Sequence, residues 1–317
     1  MRFMKRFANP TGGKTYLFSI IFDIAVQIAF SMVLSAVVIV GGYGSAAELP
    51  RYSTWNIVAM LFLQGAFVAA IFVTKPRLTA PAKKSAAGWC KDVLLSVLTA
   101  AVCLCCFSWM GEWFALALEA IGYNGAVISV NGTLDLVLCL IVTVLVAPVV
   151  EETVFRNALT NEFRRRHGLI VTVLLSGICF ALMHMSPQQT VYQFMLGCAC
   201  AYTFLRTENV VVPSLIHALS NAAAIGLNYV DWSIIKPPEG QSSVLLNNPA
   251  LSVPITLLLA VAGVAIIFFA GKAAGEKQPA FEYEFDRESG GKAPCITALV
   301  ICGVMWTFSL IGGIAGL

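Results

Sequence analysis

The sequence predicts an all-α, polytopic transmembrane bundle of about nine spans with a cytoplasmic N-terminus. Three observations carry that expectation. The 317-residue chain is 58% hydrophobic and only 12% charged, against about 25% charged residues in soluble domains. Apolar runs of about 20 residues, the length needed to cross a hydrocarbon core, recur from end to end. Lysine and arginine fall in every second connection between those runs, as they do when alternate loops face the cytoplasm.

The N-terminal segment is short and basic, with Arg2, Lys5, Arg6 and Lys14. The apolar run 15–41 exceeds the 7 to 15 residues of a signal-peptide core and lacks a clear cleavage site. It reads as a first span that stays in place. Further spans follow at about 55–73, 92–113, 134–157, 169–186, 190–206, 210–228, 249–271 and 295–317. Lys75, Arg77, Lys83, Lys84 and Lys91 follow the second span. Arg164, Arg165 and Arg166 follow the fourth, Arg206 ends the sixth, and Lys272, Lys277, Arg287 and Lys292 follow the eighth. The alternate connections carry only Arg51 and Lys236. With nine spans, the C-terminus is expected outside. The organisation is N-terminal helices at 1–133, a polar core at 134–229, and C-terminal helices at 230–317 with a cytoplasmic loop at 272–294.

The net charge of +3 is small and says little about partners; no nucleic-acid partner is expected. Most of the ten cysteines lie in apolar runs, where a thiol behaves as a small hydrophobe. No Cys/His cluster has zinc-finger spacing.

The chemistry is concentrated between Leu134 and Asn221. Ionisable side chains inside a bilayer cost roughly 2.5 to 3.5 kcal/mol each on insertion scales, so they mark sites. Glu151 and Glu152 are followed by Arg156, then His184 four residues after Phe180, and His217 four before Asn221. Residues four apart share a helix face, so Glu152 pairs with Arg156, and His217 and Asn221 are expected to point at one place. Glu151 is turned about 100° from Glu152 and stays available. The helix can continue from Leu134 to about Arg166, with a kink expected at Pro148. By helical rise, Glu151 lies about 20 Å from Arg164, His184 about 22 Å from Leu169 and His217 about 16 Å from Arg206. Asp23 and Gln27, also four apart, form a polar patch without an assigned role.

A carboxylate in a low-dielectric site suits a general base near neutral pH. An imidazole beside it orients and deprotonates water, and a second imidazole with an amide donates to a developing oxyanion. That is sufficient for attack of water on an amide carbonyl. The competing readings are an internal ion pair that only holds helices together, a proton-coupled transporter with a Glu/His relay, and a non-catalytic membrane scaffold or immunity protein. A zinc site also competes, since Glu151, His184 and His217 would supply three ligands.

At these residues the chain resembles the CAAX-protease and bacteriocin-processing family of intramembrane proteases, which includes the type II CAAX prenyl endopeptidases. The family's EExxxR reads here Glu151, Glu152, Thr153, Val154, Phe155, Arg156. Its FxxxH reads Phe180 to His184, and its HxxxN reads His217 to Asn221. The resemblance implies an intramembrane endopeptidase acting on a peptide or protein substrate at or in the membrane. It implies that Glu151 and His184 activate water, that His217 and Asn221 stabilise the oxyanion, and that Glu152, Arg156 and Phe180 support the site. It favours a mechanism with no cofactor over the zinc-dependent alternative. A chain this compact is read as a multi-pass protein of a bacterial cytoplasmic membrane.

Overall fold

The computed structural model describes residues 11–80, 84–125, 130–229, 248–275 and 292–316. Most of the expected loop at 272–294, and the basic residues Arg2, Lys5, Arg6, Lys83, Lys236, Lys277 and Arg287, lie outside those residues. Among the described residues nine long helices account for all nine expected spans. They are α1 (Gly12–Gly41), α2 (Tyr52–Thr74), α3 (Ala86–Ala120), α4 (Thr133–Phe163) and α5 (Leu169–Met183). There follow α6 (Thr190–Thr207), α7 (Val211–Tyr229), α8 (Pro249–Ala274) and α9 (Lys292–Ala315). The chain is a multi-pass helical membrane protein.

The helices alternate in direction, and hydrogen bonds between their ends show it. At one end Gly13 N donates to Glu162 (2.9 Å), Thr15 meets Thr74 (2.8 Å) and Asn209 donates to Asp92 (2.8 Å). At the other, Ser53 and Thr54 of α2 donate to Asp135 of α4, and Asn124 N donates to Gly313 O (3.0 Å). Lys14, Lys75, Lys84, Arg164, Arg166, Arg206, Lys272 and Lys292 all belong to the first end. Apart from Arg51, the described loops therefore gather the basic residues at one face of the bundle, the arrangement the charge alternation calls for.

α3 begins six residues before the expected start. Ser85 accepts the Gly88 N–H and caps a turn that hydropathy alone does not mark. Six helices are long and apolar enough to cross a bilayer; α5, α6 and α7, of 15, 18 and 19 residues, are not among them. At 1.5 Å per residue they span roughly 22 to 28 Å, short of the ~30 Å hydrocarbon core. Their connections are accordingly drawn into the protein: Asn209, between α6 and α7, is fully buried on Asp92. His217 thus lies six residues into α7, about 9 Å from its start at Val211, rather than the ~16 Å reckoned from Arg206.

α5 and α6 approach closely because glycine faces glycine. A Cβ on Gly197 would stand 3.0 Å from the Gly177 Cα, and one on Gly177 would stand 2.5 Å from the Cys198 sulfur. Small residues give membrane helices the backbone proximity that packing needs. The contact fixes the height of Phe180 and His184, less than two turns further along α5. A chain of aromatic rings, Phe67–Phe155–Phe180 with Tyr16 against Phe155, fills the centre.

Candidate active site

The two motif glutamates sit in a short α-helical stretch, Ala147–Glu152, between two wider π-helical stretches, Leu140–Val146 and Thr153–Thr160. Pro148 opens the α-helical stretch but lies inside the continuous α4, where its missing N–H leaves a carbonyl of the preceding π turns without a helical donor. The widened turns explain the Thr160 hydroxyl, which donates to the carbonyl of Phe155 five residues back (2.7 Å). Such insertions re-aim side chains and recur at functional sites. The sequence-based reading anticipated the proline and not the π turns.

Glu152 and Arg156 form the expected pair, fully buried on both sides. Arg156 Nε lies 2.7 Å from Glu152 Oε2, too bent for a hydrogen bond, while Nη2 donates to Oε1 at 3.3 Å. Nη1 donates to Ser176 of α5 (3.0 Å), and the guanidinium stands 4.7 Å from the Phe180 ring centre. Glu152 has a second partner: its Oε1 meets His217 Nδ1 at 3.2 Å. One carboxylate therefore ties α4 to α7, and its arginine ties α4 to α5.

Glu151 faces away from this network, as its rotation predicts. It is 7% exposed, and its Oε1 accepts the side-chain amide of Gln64 from α2 at 2.9 Å. Its Oε2 has no hydrogen-bond partner among the described residues. Gln64 was not picked out from the sequence; the signal, in retrospect, is an amide inside an otherwise apolar span. Asp23 on α1, 5% exposed and bonded by Gln27 at 2.7 Å, lies within electrostatic reach of Glu151. The polar patch on the first span thus joins the site.

His184 caps the C-terminus of α5. Its Nδ1 lies 2.8 Å from the Phe180 carbonyl. A carbonyl only accepts, so Nδ1 carries the proton and Nε2 is left with a free lone pair. Glu151 and His217 lie within electrostatic reach of this imidazole. The Phe180 ring stands edge-on between the two histidines, 5.0 Å from His184 and 5.5 Å from His217. Glu151, Glu152, Arg156, Phe180, His184 and His217 thus form one neighbourhood.

Asn221 lies one turn after His217 on α7 and has a partner of its own. Its Nδ2 donates to the carbonyl of Thr143 at 2.7 Å, eight residues before Glu151 along α4. The π turns at Leu140–Val146 free carbonyls from the regular ladder, and Asn221 takes one. Among the described residues no three or more His, Cys, Asp or Glu side chains come together as a set able to hold a metal ion. His217 Nδ1 is committed to Glu152, and Glu151 Oε1 to Gln64. His184 Nε2, His217 Nε2 and Glu151 Oε2 are not engaged by these bonds.

With this geometry in place, known proteins supply a comparison. Residues 133–223 match the family model Rce1-like, described as type II CAAX prenyl endopeptidase Rce1-like. The likeness is confined to that segment. It takes in α4 to α7 through Asn221, so all three motifs fall inside it. The "Putative membrane peptidase YdiL" of Bacillus subtilis (strain 168) is 24% identical over 88 residues, covering 28% of this chain and 36% of that protein. The chain therefore matches about a third of that relative's length. No solved structure matches at comparable stringency. Helices α1–α3, α8 and α9 lie outside the family match, yet Asp23 and Gln64 come from them.

Proposed function

We propose that the chain is an intramembrane endopeptidase that hydrolyses a peptide bond by direct attack of water. The observation that supports it best is the opposite setting of the two imidazoles. His184 has its proton fixed on the Phe180 carbonyl and presents a basic Nε2. His217 has its Nδ1 on the buried carboxylate of Glu152. One ring is set to accept from water and the other to carry positive charge.

In this reading a water bound between Glu151 and His184 is deprotonated by Glu151 as it attacks the scissile carbonyl. Gln64 holds one Glu151 oxygen, leaving Oε2 to take the proton. The carbonyl oxygen becomes an oxyanion. With its Nδ1 held on Glu152, His217 turns its Nε2 side to that oxyanion. Asn221 donates its second N–H. Collapse of the tetrahedral intermediate breaks the C–N bond, and Glu151 returns its proton to the leaving amine. No covalent enzyme intermediate is required, and Glu152–Arg156 acts by holding three helices in place. The bacterial source of the relative and the basic face of the bundle support a bacterial cytoplasmic membrane as the setting.

The test is a library of membrane-tethered peptides presented to the purified chain in proteoliposomes. New termini read by mass spectrometry are expected with wild-type protein. Their absence across soluble, tethered and membrane-inserted peptides would contradict the reading.

A further inference from the structure

A groove of about 210 Å³ opens on the outside of the bundle between α5, α6 and α8, remote from the glutamates. Its walls are almost wholly apolar: Leu169 and Val173 of α5, Cys198 and Tyr202 of α6, and Ile267 and Phe268 of α8. The rim faces outward, with Ile170 73% and Phe268 44% exposed. At the basic end the groove is closed by Tyr202 and Phe268. Their rings stack at 5.8 Å, and the Tyr202 hydroxyl donates to the Phe268 carbonyl (2.7 Å).

Each of these two aromatics has a cation one turn beyond it. Arg206 lies four residues after Tyr202, and Lys272 four after Phe268, so each shares a face with its aromatic. Arg206 Nε donates to the carbonyl of Gly271, the residue before Lys272, at 3.4 Å, so both basic residues belong to this end of the groove. Among the described residues the guanidinium makes no other hydrogen bond. Lys272 is exposed. Glu208, two residues from Arg206, is turned instead to Arg164 (3.0 Å). An apolar slot that ends in two cations at the membrane boundary is complementary to one class of ligand, a lipid with an anionic head.

We propose that this groove is a binding site for an anionic phospholipid, one acyl chain lying in the slot and the phosphate held by Arg206 and Lys272. The site is separate from the proposed catalytic residues, and the claim stands whether or not the chain cleaves peptides. A lipid bound here would join α5, which carries Phe180 and His184, to α6 and α8.

The full-length protein, in nanodiscs of equal phosphatidylglycerol and phosphatidylethanolamine, is released for native mass spectrometry and its retained lipids are counted. Wild type is expected to retain phosphatidylglycerol selectively. Arg206→Gln with Lys272→Gln should reduce that retention roughly 30-fold in affinity, taking the surface worth of two cations. Lys14→Gln with Lys75→Gln removes the same charge from the same end of the bundle, away from the groove, and should leave retention intact. Val264→Trp fills the slot from its exposed rim, keeps both cations and should also lose the lipid; it carries the test if the double variant folds poorly. The proposal is overturned if both groove variants retain phosphatidylglycerol like wild type, or if the Lys14/Lys75 control loses it equally. It is also overturned if wild type shows no preference between the two lipids.

Discussion

Gln64 donates its side-chain amide to Glu151 Oε1 at 2.9 Å, across the α2–α4 contact. The bond fixes one carboxylate oxygen and leaves the other without a partner among the described residues, the state a general base requires. Gln64→Leu removes the donor while keeping the bulk. A hydrogen bond to a charged group contributes about 1.5 to 3 kcal/mol, so kcat/KM should fall roughly 10- to 100-fold. Because Gln64 acts through Glu151, the thermal midpoint should change little. A melting shift as large as the activity loss would make Gln64 structural only.

Glu152→Ala leaves Arg156 buried beside Phe180 without its carboxylate and His217 without its partner. Breaking a buried pair by deleting one member costs about 3 to 5 kcal/mol. The expected result is low yield and a lowered thermal midpoint in detergent, with Glu152→Gln intermediate. A Glu152→Ala protein as stable as wild type would show that the pair contributes little to folding.

These two residues also mark what was legible in the chain. The Glu152–Arg156 pair follows from spacing alone, because helical residues four apart meet whatever else surrounds them. The nine helices follow from hydropathy, because the solvent for each span is lipid or another span. Gln64 and Asp23 were out of reach. Their significance lies in which helix they meet, and hydropathy assigns spans without assigning neighbours. The bond from Asn221 to the Thr143 carbonyl was missed for a local reason: Thr143 lies in the π turns at Leu140–Val146, which hydropathy does not mark. The truncated α5, α6 and α7 were counted correctly as elements and placed too near the surface, because their polar ends are satisfied inside the bundle.

Apart from Arg51, the basic residues of the described loops lie at one face of the bundle, and the charge rule assigns that face to the cytoplasm. Single cysteines placed at Lys75 and Lys272 in a cysteine-free background should resist a membrane-impermeant maleimide in intact cells. Cysteines at Glu48 and Gly122 should react. The reverse pattern would invert the topology, and a mixed pattern would break the alternation of the helices.

The proposed attack of water by way of Glu151 needs no metal, so it predicts metal independence. Activity should survive prolonged chelation, and purified protein should bind well under one zinc per chain by elemental analysis. Chelated protein that is inactive and recovers with Zn²⁺ would mean that Glu151, His184 and His217 rearrange into ligands.

The central claim is that Glu151 takes the proton of the attacking water, with His184 beside it. It is tested most directly by single-turnover cleavage of a tethered peptide in proteoliposomes by wild type, Glu151→Gln and His184→Ala, each shown to be folded by thermal melt. Glutamine keeps the shape of Glu151, and even the Gln64 contact, but accepts no proton. Both variants are predicted to show no cleavage above the lipid-only background, while Asn221→Ala keeps a residue of activity, about 10²- to 10³-fold reduced. Wild-type rates from folded Glu151→Gln would contradict the account and return a scaffold or a transporter as the better description of the chain.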